Sequence, residues 1–359
     1  MRILIDIGHP AHVHYFRNFI SNLQKKNHVF FVSARERSII HYLLKHFNIP
    51  FYNRGKGKNG LIGKLLYMLL ADIKLFKQSI IFKPDIFISF ASPYAAQVSW
   101  FLRKPHIVLD DTEHAKFGHL FYKPFSKVFL NPQSFKKDFG KRQIRFNSFT
   151  ELFYLHPNNY TPNADVLQLL NLKNDEKFVL LRFVSWEANH DIGHSGLDLT
   201  TKKNLVTLFE EKGYKIFISA EAENKDPFFE KYLIKIPPER IHDVLNYCDL
   251  FVAESGTMAS EAAILGTPVI YVNSLPLMGY LEEEKEYGLL YHFPSSVGVI
   301  NKVNEILSTP NFKQTYQSSC QRILSNKIDP TAFLSWFVEN YPKSVEIMKD
   351  DPDYQFRFK

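Results

Sequence analysis

Residues 253–273 read AESGTMASEAAILGTPVIYVN. An apolar strand ends at Ala253, the small residues Ser255, Gly256 and Thr257 turn the chain, and a helix runs on from about Thr257. A second small-residue turn, Gly266-Thr267-Pro268, feeds a second apolar strand. Strand, helix and strand in so short a stretch make a β-α-β unit, which implies parallel strands. Small residues let the backbone approach a ligand closely, and the N–H groups that open a helix point at an anion. Glu261 lies about one turn into that helix, where a carboxylate can accept hydrogen bonds from a diol such as a ribose. The same residues also admit a purely structural reading, in which Ser255 or Thr257 caps the helix and Glu261 favours its dipole.

The same rhythm extends in both directions. Apolar runs at 2–7, 28–33, 49–52, 85–90, 106–110 and 128–131 alternate with helical stretches. The first helix is expected over about 13–25, where Val13, Phe16, Ile20 and Leu23 recur at helical spacing. Several runs are apolar almost throughout, as befits strands covered on both faces. The alternation pauses over 151–175, with Pro157 and Pro162, and resumes at 178–185, 215–220, 250–253, 268–273 and 289–293, ending in a helical stretch at 331–341. The expected fold is therefore α/β: two Rossmann-like, doubly wound parallel-sheet domains facing a cleft. The first spans 1–150 and the second 176–330, joined by 151–175 and followed by a C-terminal helix and tail over 331–359. Sheets of this kind bind ligands beyond the carboxyl ends of their strands, so function is sought in the loops that follow strands.

Composition sets outer bounds. The chain of 359 residues is 45% hydrophobic, enough for two buried cores. Its formal charge of +7 suits an acidic ligand or surface without requiring nucleic acid. Two cysteines, Cys248 and Cys320, make no disulfide framework and fit a reducing compartment. The opening MRILIDIGHP is a strand interrupted by Asp6 rather than a signal peptide. A cytoplasmic protein is expected, with a peripheral position at the inner face of the membrane as a variant of that expectation.

Four further strand-end loops carry chemistry. IGHPAHVHYF at 7–16 crowds His9, His12 and His14 behind the first strand, and His12 is the candidate catalytic base. The three histidines do not share one helix face, which argues against a metal site. RFVSWEANHDIGHSG at 182–196 offers Arg182 and His190 for phosphate and Trp186 for stacking on a base, although Arg182 can equally pair with a carboxylate such as Glu221. Asp110, Asp111, Thr112, Glu113 and His114 follow a first-domain strand and suit acid/base chemistry or acceptor hydroxyls, or else Asp111 or Thr112 caps the next helix, and the strand-end loop at 89–94 is a further candidate for the acceptor. Residues 54–83 hold seven basic residues and one acid among apolar side chains. Such a segment is either a basic amphipathic helix on an anionic membrane or an ordinary helix with lysines in water.

The 253–273 segment resembles the nucleotide-sugar site of the glycosyltransferase B-type fold, as found in UDP-N-acetylglucosamine 2-epimerases and lipid A disaccharide synthases. That resemblance implies that Ser255, Gly256 and Thr257 meet a diphosphate and that Glu261 holds a ribose. His12-Val13 is similar to the His-Val that ends the glycine-rich loop of the peptidoglycan N-acetylglucosaminyltransferases, with His9, Pro10 and Ala11 standing where glycines precede it there. IDIGHPAHVHYF, RFVSWEANHDIGHSG and ESGTMASE together resemble domain of unknown function family 354 over nearly the whole chain.

These likenesses imply an enzyme that moves a sugar from a nucleotide donor, UDP-linked, to a glycan or lipid-linked acceptor in cell-surface glycan synthesis, with neither metal nor other cofactor. An epimerase acting on the nucleotide sugar is the alternative. Against it, the loop reads His9-Pro10-Ala11 where 2-epimerases carry Arg-Pro-Glu. A non-catalytic nucleotide-sugar binder is a further alternative. Nucleic acid is not expected as a partner, because the basic residues gather in one helix and no binding motif is present.

Overall fold

The apolar runs of the N-terminal half form β1 (Arg2–Ile7), β2 (Val29–Arg35), β3 (Phe51–Gly55), β4 (Ile86–Phe90), β5 (His106–Leu109), β6 (Val128–Pro132) and β7 (Gln143–Phe146). They make one parallel sheet in the order β3-β2-β1-β4-β5-β6-β7. Ile3, Leu4, Ile5 and Ile7 of β1 are fully buried at its centre. The chain leaves β1 in one direction for β2 and β3, then returns to β4 on the other side. Right-handed crossovers therefore place the helices Pro10–Gln24 and Ser38–His46 on one face and Leu61–Phe82, Pro93–Phe101 and Lys116–Tyr122 on the other. The switch of direction lies between β1 and β4.

The computed structural model describes the chain except for residues 59, 174–175, 185–195 and 221–225 and the side chains of 61, 62, 116 and 117. It divides into two units, Met1–Asn159 with Lys327–Lys359, and Tyr160–Asn326. The C-terminal segment thus belongs with the first unit. Its helix Pro330–Glu339 packs on Pro10–Gln24, Thr331 Oγ1 donates to the Phe153 carbonyl (2.8 Å), and buried Phe333 stacks on Phe146. The boundary between units falls at Asn159, and short helices Leu152–Leu155 and Asp165–Leu169 lie on either side of it.

The second unit repeats the design with β8 (Phe178–Phe183), β9 (Lys215–Ala220), β10 (Leu250–Ala253), β11 (Val269–Val272) and β12 (Leu290–Phe293), all parallel, in the order β12-β11-β10-β8-β9. Here the switch point lies between β8 and β10. Its core includes Val179, Leu181, Val252, Ile270 and Val303, each fully buried.

Two details depart from the sequence expectation. The first helix starts at Pro10 rather than near Val13: Pro10 supplies a preset φ, and His9 Nδ1 caps the helix by accepting from the Ala11 N–H (3.3 Å). β7, QIRF, is a strand the periodicity did not suggest, because it sits at the sheet edge with Gln143 and Arg145 half-buried.

His106 opens β5 with no exposed surface, held by Ser89 Oγ and Ser126 Oγ at 2.9 Å each. Ser126 spends its proton on the Tyr122 carbonyl, so Nδ1 donates to Ser126 and Nε2 accepts from Ser89. A second ring proton has no place in that chain of bonds, and burial pushes the imidazole down to about 3. The unfolded chain takes a proton near pH 6.5 that the folded chain refuses, so His106 lowers stability progressively as pH falls from about 6.5 towards 3. Urea denaturation across that window should show the loss, and His106→Gln should flatten the slope.

Candidate functional site

At the β1–β4 switch point the first unit carries an open cavity of about 290 Å³. Its floor is an ion pair between two fully buried side chains: Arg54 Nε, from β3, donates to Asp6 Oδ1 of β1 at 3.0 Å. Ser92 Oγ donates to the other Asp6 oxygen (2.6 Å). Arg54 Nη1 donates to the Tyr67 hydroxyl (3.0 Å), and the guanidinium lies 4.0 Å from the Tyr94 ring centroid. Burial opposes the charge on Arg54, but Asp6, Tyr67 and Tyr94 together outweigh that and raise its proton affinity. Ala91, which also lines the cavity, holds φ 47°, a left-handed conformation that costs a non-glycine residue energy and is often found at functional sites.

His12 lines the same cavity. Its Nδ1 accepts from the Gly8 N–H (3.3 Å), which leaves Nε2 carrying the proton in the neutral ring. Burial, then His9 and Arg54, drive its pKa well below the usual imidazole value, so the ring is neutral at physiological pH. His9 borders the cavity too, whereas His14 packs away from it against Phe47 and Tyr154. His9 and His12 thus share the cavity, their ring centroids 5.9 Å apart, and His14 does not. Among the described residues no group of three or more His, Cys, Asp or Glu side chains is arranged to hold a metal ion.

Of the loop after β5, Asp110, Thr112 and Ala115 reach the cavity. Asp110 accepts from the Tyr122 hydroxyl and lies 3.1 Å from His119 Nε2. Asp111 is buried, accepting from Thr150 and Thr112, and burial pushes its carboxyl up to about 7. Glu113 accepts from the Lys136 N–H (3.1 Å). Neither Asp111, Glu113 nor His114 is a lining residue, and none caps the following helix, whose N-cap is Ala115. Ser92, Tyr94 and Asp110, from two of the loops singled out in the sequence, line the cavity, whereas the sequence reading missed Asp6 and Arg54. The available signal was a carboxylate, Asp6, inside an otherwise apolar central strand.

In the second unit, Ser255 is the N-cap of the helix Gly256–Ile264 and makes no side-chain cap bond. The helix starts at the β8–β10 switch point, where Ala253 neighbours Arg182. A Cβ on Gly256 would approach Met278 and the Tyr271 hydroxyl at 3.3 Å, so a glycine keeps this turn tight. Glu261 is buried, and its Oε1 accepts from His242 Nε2 at 3.2 Å. Arg182 Nη1 donates to Ser219 Oγ (2.9 Å). Trp186 and His190, and the Glu221 weighed as a partner for Arg182, lie outside the described residues. Glu254, just ahead of the turn, was also missed. Its two carboxylate oxygens accept from the Val184 N–H (2.9 Å) and the Leu197 N–H (2.8 Å), and Lys202 Nζ lies 3.1 Å away.

A family model described as "Protein of unknown function (DUF354)" matches residues 1–328. The chain is 24% identical over 315 residues to the uncharacterized protein MJ0665 of Methanocaldococcus jannaschii, covering 85% of this chain and 91% of that protein. Its fold is similar to that of UDP-GlcNAc 2-epimerase from Neisseria meningitidis bound to UDP-GlcNAc, with TM-score 0.66, 12% identity and coverage of 98% and 99% of the two chains. It is similar also to the glycosyltransferase SsfS6 of Streptomyces sp. SF2575, with TM-score 0.62, 12% identity and coverage of 95% and 100%. The fold is therefore the glycosyltransferase B type, with a seven-stranded and a five-stranded parallel sheet.

The buried Asp6–Arg54 pair yields a stability prediction. Removing one partner strands the other charge, so Asp6→Ala should cost about 3–5 kcal/mol in urea denaturation. Replacing both together, Asp6→Leu with Arg54→Met, should cost less than Asp6→Ala alone. The reverse ranking would mean that the pair does not govern this site.

Proposed function

The chain belongs to the DUF354 family, and from that footing we propose that it is a glycosyltransferase that moves a sugar from a UDP-linked donor to the hydroxyl of a glycan or lipid-linked acceptor in cell-surface glycan synthesis. One observation carries the reading: a small-residue turn opens a nine-residue helix at the switch point of the second sheet, with a buried, His242-bonded carboxylate one turn further on. The N–H groups of Gly256 and Thr257 would meet the diphosphate, where the helix dipole favours negative charge. Glu261 would accept from the ribose hydroxyls, its carboxylate oriented by His242. Arg182 would add positive charge beside the diphosphate, and Trp186 and His190 complete the proposed donor set.

The acceptor would occupy the first unit's cavity, with Asp111, Glu113 and His114 in the loop that borders it. There His12 is neutral, the form that can accept a proton from the attacking hydroxyl. Accepting it at Nε2 requires the tautomer with the proton on Nδ1, at the expense of the long bond from Gly8. The hydroxyl oxygen bonds to the anomeric carbon, the glycosyl–phosphate bond breaks, and the nucleoside diphosphate leaves with the electron pair. Dipoles and cationic side chains offset its charge, so no divalent cation is required. Chelator should leave transfer unchanged.

A second reading is an epimerase, supported by the likeness to a 2-epimerase bound to UDP-GlcNAc. Incubation with UDP-GlcNAc in deuterated water, without acceptor, separates the two. Deuterium at C2 with inversion marks an epimerase, and an unaltered nucleotide sugar marks a transferase awaiting its acceptor.

The donor site is tested by calorimetry with UDP and UDP-sugars. Glu261→Ala should weaken binding roughly 10- to 100-fold, the loss expected for charge-assisted hydrogen bonds, in a protein whose circular dichroism is unchanged. Unaltered affinity in that variant would remove Glu261 from the site.

A further inference from the structure

More than half of the large apolar side chains exposed among the described residues lie on three helices that cover one face of the first sheet. Leu66, Leu69, Leu70, Ile73 and Ile80 recur along the helix Leu61–Phe82 at intervals that keep them on one stripe, each at least half exposed. Ile81 at the end of that helix is 73% exposed. The next helix, Pro93–Phe101, ends in Trp100 and Phe101, the latter 68% exposed, and Lys116–Tyr122 adds Leu120 at 67%. Gln97 Nε2 joins all three, contacting Met68 Sδ (3.8 Å) and donating to the Phe121 carbonyl (3.2 Å). Scattered exposed apolar residues are ordinary, but such a concentration of them on adjoining helices marks an interaction surface.

Charge identifies what covers it. Lys64 and Lys77 are exposed along the helix Leu61–Phe82 and Lys83 directly after it, and Arg103 and Lys104 follow Trp100 and Phe101. The only acid of that helix, Asp72, is half-buried near Arg54, and burial pushes its carboxyl up to about 7. The patch is therefore apolar with a basic fringe. A second copy would set lysine against lysine, whereas an anionic lipid interface takes both the apolar stripe and the cations. Among the described residues no helix is long and apolar enough to cross a membrane, so contact would be peripheral.

We propose that this three-helix face docks the chain on an anionic lipid bilayer, the apolar stripe entering the headgroup region and the lysines meeting the lipid charge. The helix Pro93–Phe101 carries Pro93 and Tyr94 at the cavity and Trp100 and Phe101 at the patch. The two ends lie about 10 Å apart at the rise of an α-helix. A lipid-borne substrate in the cavity is thus within reach of the surface, although docking itself does not depend on the donor reading.

The test is co-sedimentation of the full chain with phosphatidylcholine vesicles, with and without about one-third phosphatidylglycerol, at low and high salt. The chain should pellet with anionic vesicles at low salt and much less at high salt. Lys64→Glu, Lys77→Glu and Lys104→Glu together should weaken partitioning at least about 100-fold. Leu66→Ser, Leu70→Ser and Ile73→Ser together should also abolish pelleting. Both variants should keep the wild-type circular dichroism spectrum. A protein that stays in the supernatant at low salt overturns the proposal. So does a dimer, seen by sedimentation velocity, that the apolar variant dissolves.

Discussion

The ion pair between Asp6 and Arg54 organises the first unit. It brings a carboxylate from the central strand β1 against a guanidinium from the edge strand β3, both fully buried. Desolvating two charges is costly, and the pair persists only because each has further partners: Ser92 on the carboxylate, and Tyr67 and Tyr94 on the guanidinium. Those partners come from the helix Leu61–Phe82 and from the start of Pro93–Phe101. One buried pair thus fixes the sheet, two of the covering helices and the floor of the cavity in a single arrangement.

Much of the architecture could be read from sequence because parallel strands covered on both faces are written as apolar runs. Eleven of the twelve strands among the described residues had such runs, and the exception, β7, lies at the sheet edge, where burial imposes less. The turn and helix at Ser255–Glu261 were legible because a small-residue turn and one helical turn are local features. The cavity was not, because its decisive contact joins residues 48 positions apart, and neither the run RILIDI nor the run FYNRG names the other. The return of 327–359 to the first unit was hidden for the same reason: an amphipathic helix advertises its apolar face but not the surface that receives it.

The loop after β5 makes the limit specific. Four polar residues in a row, Asp110 to Glu113, all looked available for acceptor chemistry. The structure turns Asp110 and Thr112 to the cavity and binds Asp111 and Glu113 into the protein through Thr150 and the Lys136 N–H. Residue type alone does not distinguish the two sets. Asp110 is held within the protein too, by Tyr122 and His119, so what separates the sets is which of them border the cavity.

Glu254 shows how the two strand-end loops of the second unit are made to depend on each other. A carboxylate with two acceptor oxygens can bind two N–H groups at once, and here they belong to Val184 and Leu197, the residues on either side of 185–196. Lys202 balances the charge from the next helix. Glu254 itself is joined directly to Ser255, so the turn that opens the Gly256–Ile264 helix and the two ends of the preceding loop share one anchor. An alanine there would leave both N–H groups without that acceptor, and a glutamine could accept at only one of the two positions. The carboxylate is therefore a requirement of the backbone geometry at the switch point, independent of any ligand.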